Sequence, residues 1–223
     1  MERVLSYGDV LLRRCDVELL RPPNFINDHI IDFFFSYLSS SGSSDVLLVS
    51  PSTSFWITNC ADARDLAPAL AALNLRDRQM LLLPINNSAD VEYRSSHGNL
   101  ERGSHWSLLI FHRPSNSCLH FDSLDGANDR YARSLHARVS ELVGSGSKPR
   151  FVSAATPQQE NGHDCGAYVM AIAAAVKKGF ESDVECDVEE IVKREVSSES
   201  ARRLRASTLD LIDSLRREEA IKA

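Results

Sequence analysis

Apolar residues fall at helical spacing early in the chain: Ile30, Ile31, Phe34 and Leu38 share one face of a helix. Arg21, Pro22 and Pro23 ahead of them force extended backbone, so the helix is predicted to start at a cap on Asn24 or Asn27 and to run through Leu38. Residues 39–44, nearly all serine, have nothing to bury and read as a loop. Pro51 to Cys60 and Asp62 to Leu73 read as two further helices that end before Asn74. The pattern then changes. Met80 to Ile85 is an apolar run of strand length, and Asn86 to Ser104 is polar and aperiodic. A loop of that length inside a domain is either a functional lid or disordered.

His105 to Phe111 resumes as a strand, Pro114 to Ser117 supplies turn residues, and Cys118 to Asp122 returns as the second strand of a hairpin. Tyr131, Leu135, Val139 and Leu142 form one stripe of a helix over Asp129 to Val143, and Arg150 to Ala154 is another short strand. Cys165 to Val176 is apolar on nearly every face, as a buried helix is. In the charged tail after Phe180, Leu204, Leu211, Ile212 and Leu215 mark one amphipathic helix. A helical front, a central strand-rich section and a helical tail make the fold class α+β, with a small mixed sheet flanked by helices in a single domain over residues 1–223.

Composition narrows the function classes. The 223 residues are 43% hydrophobic and 25% charged, which belongs to a globular protein with a real core. The net charge of −6 and the lack of a Lys/Arg stripe argue against nucleic acid as a partner. No apolar stretch approaches the ~18 residues of a membrane span, and the chain is expected to act as a monomer. Cys15, Cys60, Cys118, Cys165 and Cys186 are scattered and odd in number, which fits the reducing cytosol or nucleus.

One of these thiols stands in a chemically suggestive place. A thiol nucleophile attacks as thiolate, which a helix N-terminus and a neighbouring imidazolium both favour. Cys165 lies where the turn residues Asn161 and Gly162 give way to a helix, and Gly166 beside it leaves room for a substrate chain. His105 opens one strand of the predicted hairpin and Asp122 closes the other, so the turn brings them together. That pairing suits a general base and the carboxylate that orients it. Gln159, on the loop leading to Cys165, is placed to donate to a developing oxyanion with the Cys165 main-chain N–H.

The ordinary roles of these residue types weigh against this reading. Free cysteines are more often small buried hydrophobes, and that role is assigned to Cys15, Cys60, Cys118 and Cys186. His29, His112, His120 and His136 are assigned to packing or surface. His163, two residues from Cys165, ranks well below His105 as a base, because residues i and i+2 do not face each other on a helix. No paired Cys/His spacing supports a zinc site, and no cofactor is expected.

Gln159, Asn161, Gly162, Asp164, Cys165 and Gly166, preceded by His105-Trp106-Ser107-Leu108 and Phe121-Asp122-Ser123, resemble the Ulp/sentrin-specific cysteine proteases. These have a papain-like fold and cleave ubiquitin-like modifiers after a C-terminal Gly-Gly. The segments from Leu5 to Arg13, from Asp16 to Leu20 and from Pro22 to Ile31 resemble the deneddylase branch, which acts on the modifier of neddylation (Nedd, or Rub). The resemblance covers residues 1–180 and implies His105, Asp122 and Cys165 as a triad with Gln159 in the oxyanion hole. It further implies that Trp106 walls a tunnel admitting only two glycines, that Phe25 lids the substrate tail where many relatives carry tryptophan, and that Asp28 pairs with a basic residue of that tail. A SUMO protease, an acyltransferase using the same triad and a non-catalytic modifier-binding module are the alternatives.

Overall fold

A five-stranded mixed sheet organises residues 43–156 in the computed structural model, which describes residues 2–87, 105–144, 146–182 and 187–222. The chain divides into two compact units: Ser43–Thr156, and Met1–Gly42 together with Pro157–Ala223. The strands of the first unit are β3 (Val46–Leu48), β4 (Met80–Asn86), β5 (Trp106–His112), β6 (Ser117–Phe121) and β7 (Arg150–Ser153), in that spatial order. The β4–β5 and β5–β6 pairs are antiparallel, whereas β3 and β7 join their neighbours in parallel. Residues of β5 and β6 are buried at every position, the polar Ser107, His112, Ser117 and His120 among them.

Leu81, Leu83, Ile85, Leu109, Phe111 and Cys118 pack on one core with Ile57 of α3 (Pro51–Asn59) and with Ala132, Leu135 and Val139 of α5 (Asp129–Leu142). The helix expected over Asp62–Leu73 is shorter. It runs as α4 (Ala63–Ala69) and gives way to a 3-10 turn at Ala71–Leu73, with Asn74 left-handed at φ 50°. Pro68 sits inside this helix, and the Leu70 N–H still reaches the Leu66 carbonyl beyond it. Most of the expected 86–104 loop lies outside the described residues, as does Cys186.

The second unit begins with a β-hairpin, not a helix, which corrects the helical front. Strands β1 (Arg3–Tyr7) and β2 (Val10–Arg13) pair antiparallel, with Gly8 at φ 55° in the turn. Leu5, Val10 and Leu12 are their buried positions, too few to announce strands on their own. After α1 (Arg14–Glu18), Asn27 caps α2 (Asp28–Ser39) by accepting the Ile30 N–H. Helix α6 (Cys165–Ser182) is apolar all round because α2, α7 (Val188–Glu195) and α8 (Ser198–Lys222) all pack on it.

The tail thus holds two helices where one was expected. Asp187 caps α7 by accepting from Glu189 and Glu190 N–H groups. Ser197 and Ser200 exchange main-chain to side-chain bonds of 2.8 and 3.1 Å where α8 starts. Among the described residues no helix is long and apolar enough to cross a membrane.

Candidate active site

Strand pairing fixes the first half of the site. Leu108 lies opposite Phe121, so the residue before β5 and the residue after β6 emerge at the same end of the sheet. His105 Nε2 and Asp122 Oδ1 are 2.5 Å apart there, with side chains 3% and 4% exposed. Asp122 is fully engaged: Oδ1 also accepts the Leu124 N–H at 2.9 Å, Oδ2 accepts the Asn128 N–H at 2.8 Å, and its own N–H donates to Thr156 Oγ1 at 3.1 Å. The intervening turn carries Asp125 at φ 46° and Gly126 at φ 74°.

Burial opposes ionisation of this carboxyl, but the hydrogen bond from His105, the two main-chain N–H donors and the charge of His105 outweigh it. The Asp122 pKa is held below its usual value. An ionised carboxylate only accepts, so Nε2 of His105 carries the hydrogen. The lone pair of the neutral ring then falls on Nδ1.

Two neighbours support the pair. Asn128 stands at the N-cap of α5 but does not cap it with its side chain. Its carboxamide instead donates to the His105 carbonyl at 3.3 Å, the Ser107 Oγ at 3.1 Å and the Ile85 carbonyl at 3.5 Å. His120 lies between Asp129 Oδ1 at 2.9 Å and Ser107 Oγ at 3.0 Å.

The other unit carries Cys165 and Gln159. Cys165 is the first residue of α6, and the Asp164 carbonyl accepts the first helical bond, from Tyr168 N–H at 3.0 Å. The first N–H groups of a helix have no partner within it and point toward whatever lies at its start. Asn161 builds the approach: its Oδ1 accepts the N–H groups of His163 and Asp164, both at 3.0 Å, and its Nδ2 donates to Asp164 Oδ2 at 2.7 Å. Gln159 Nε2 donates to the Asn161 carbonyl at 2.6 Å, which orients its amide plane. His163 Nε2 lies 3.8 Å from the Asp164 carboxylate.

His105 and Asp122 are therefore in direct contact, and Cys165 and Gln159 share one loop–helix junction. Phe25, 48% exposed, and exposed Asp28 lie on either side of the α2 cap, while Trp106 is buried at the start of β5 opposite Asn86. Sequence reasoning passed over Asn128 and Arg205, whose bonds follow only from tertiary placement, and read Asn161 as a turn residue without its bonds to His163 and Asp164. Among the described residues no three His, Cys, Asp or Glu side chains converge on a position for a metal ion.

Residues 24–206 match the Ulp1 protease family, C-terminal catalytic domain. The chain is 41% identical over 182 residues to NEDD8-specific protease 1 of Arabidopsis thaliana, covering 81% of this chain and 78% of that protein. It is 35% identical over 182 residues to sentrin-specific protease 8 of Homo sapiens, covering 79% and 82%. The structure of SUMO protease Ulp1 with its catalytic cysteine oxidised to a sulfenic acid superimposes with a TM-score of 0.69 at 21% identity, over 96% of this chain and 89% of that one. A mixed sheet with flanking helices is thus shared with that fold. With its fold and most of its length accounted for in this way, the chain belongs to the Ulp1 family of cysteine proteases.

Proposed function

We propose that this protease is a deneddylase, which trims the precursor of NEDD8 and releases NEDD8 from its conjugates after the C-terminal Gly-Gly. Likeness to a NEDD8-specific protease at 41% identity supports the choice of modifier. The observation that carries the chemistry is the buried 2.5 Å contact between His105 and Asp122.

In the proposed reaction Cys165 Sγ attacks the carbonyl carbon of the modifier's last glycine. The thiol proton passes to His105 Nδ1, and Asp122 stabilises the imidazolium without taking its proton. The Cys165 main-chain N–H and the Gln159 amide donate to the oxyanion. Collapse of the tetrahedral intermediate breaks the C–N bond. His105 gives its proton to the departing amine, which is a lysine side chain in a conjugate or a peptide N-terminus in a precursor. Water, deprotonated by His105, then attacks the thioester, and the modifier leaves with a free carboxylate. Trp106, Phe25 and Asp28 are proposed to hold the Gly-Gly tail.

Both compact units serve one catalytic domain in this reading, as the family match running across both supports. Five scattered cysteines, odd in number, suit a reducing compartment, cytosol or nucleus. Hydrolysis of fluorogenic C-terminal amides of NEDD8, SUMO and ubiquitin tests the proposal. NEDD8 is expected to be cleaved fastest, and preferential cleavage of SUMO would overturn the assignment of the modifier.

A further inference from the structure

We infer that Arg205, on the C-terminal helix α8, is a positioning residue that holds the nucleophile's loop in register with the segment leading to Phe25. Arg205 is 1% exposed. Its five N–H donors all have acceptors. Nη1 donates to Asp164 Oδ1 at 2.6 Å and to the His163 carbonyl at 3.3 Å. Nε donates to the Leu20 carbonyl at 3.0 Å, and Nη2 donates to the Leu19 carbonyl at 2.7 Å and to the Asn24 carbonyl. Two bonds therefore grip the residues immediately before Cys165, and three grip the stretch that ends one residue before Phe25.

Both gripped stretches lie between regular elements: Leu19, Leu20 and Arg21 donate to the last turn of α1, while residues 22–24 and 163–164 belong to no helix or strand. A buried ion pair is weak evidence for stability, because apolar side chains of the same volume often serve as well. A planar fork with all donors matched does something an apolar cluster cannot, which is to fix the relative position of several carbonyls at once. Asp164 relays the constraint. One of its carboxylate oxygens takes Arg205 while the other takes Asn161, and the Asp164 carbonyl starts α6 beneath the thiol. The tail beyond residue 180, which sequence alone left without a role, thereby acts on the catalytic junction.

This inference rests on Cys165 being the nucleophile, and the experiment separates the two. Full-length Asp164→Asn, Arg205→Met, Arg205→Lys and Cys165→Ala are assayed on the fluorogenic C-terminal amide of NEDD8, with thermal melts to establish folding. Asp164→Asn disturbs only the nucleophile side, so kcat should fall about 10- to 100-fold with KM within about twofold. Arg205→Met releases both sides, so the same order of loss in kcat should come with a raised KM. Arg205→Lys keeps the charge and offers a single point donor in place of the fork. It should behave like Arg205→Met, and it stands in for that variant should Met not fold. A purely structural Arg205 would lower the melting temperature and leave kcat and KM of the folded molecules within about twofold of the parent. That result would overturn the inference. Cleavage surviving in Cys165→Ala would instead overturn the assignment of the nucleophile.

Discussion

His105 Nε2 lies 2.5 Å from Asp122 Oδ1, and the same carboxylate accepts two main-chain N–H groups from the turn that follows it. The aspartate therefore orients the imidazole and closes the Asp122–Asn128 turn with one group. Asp122→Asn removes the acceptor that fixes the proton on Nε2 and introduces a competing donor. We expect kcat to fall by roughly a thousandfold or more. Some loss of melting temperature should accompany it, because an amide can accept on one oxygen only. Steady-state kinetics on a modifier amide, with a thermal melt of the same sample, check both.

The same carboxylate has a signature in acid. Its pKa is below the ordinary 3.8 in the folded protein, so its contribution to stability is complete above that value and is lost as pH falls through the folded value. His120 acts in a higher range. Burial, the largest influence, pushes its pKa below 6.5, against the pull of Asp122 and Asp129. Below about pH 6.5 the unfolded chain takes up a proton that the native imidazole refuses, so stability falls from there toward the folded value. The drop in melting temperature from about pH 7.5 to about pH 5.5 should be smaller in His120→Gln than in the parent. Equal drops would show that His120 is protonated without cost in the native state.

Cys118 and Cys165 are 0% and 1% exposed, so shielding alone does not tell them apart. Burial in the sheet core pushes the Cys118 pKa up to about 12, which keeps it a thiol at neutral pH. Cys165 instead begins a helix. Brief treatment of the native protein with iodoacetamide, read by peptide mass spectrometry, should modify Cys165 and spare Cys118. Modification of Cys118 ahead of Cys165 would contradict the assignment.

Much of this arrangement was legible in the sequence because it rests on local patterns. Turn residues at Pro114 to Ser117 between two apolar runs put His105 and Asp122 at hairpin ends, and the turn residues Asn161 and Gly162 before an apolar helix placed Cys165. Partnerships made across long separations were not legible. Asn128 reads as a helix cap, yet its carboxamide bonds the His105 and Ile85 carbonyls, 23 and 43 residues away in sequence. Arg205 reads as one charge among many on a surface helix, and only tertiary packing turns it inward. The front hairpin was missed for another reason: with five- and four-residue strands, it offers too short an alternation to recognise.

Phe25 is a large apolar side chain left 48% exposed, which costs the free protein little to lose. Phe25→Ala should leave stability within about 0.5 kcal/mol of the parent. Under the proposed role of Phe25 over the glycine tail, KM for the modifier amide should rise. Unchanged kinetics would remove Phe25 from the substrate site.

The most direct test of the account is the rate at which the parent and Cys165→Ala hydrolyse the C-terminal amide of NEDD8, measured beside SUMO and ubiquitin amides. The account predicts fastest cleavage of NEDD8 by the parent and none above background by Cys165→Ala. Turnover by Cys165→Ala, or a parent enzyme that prefers SUMO, would contradict it.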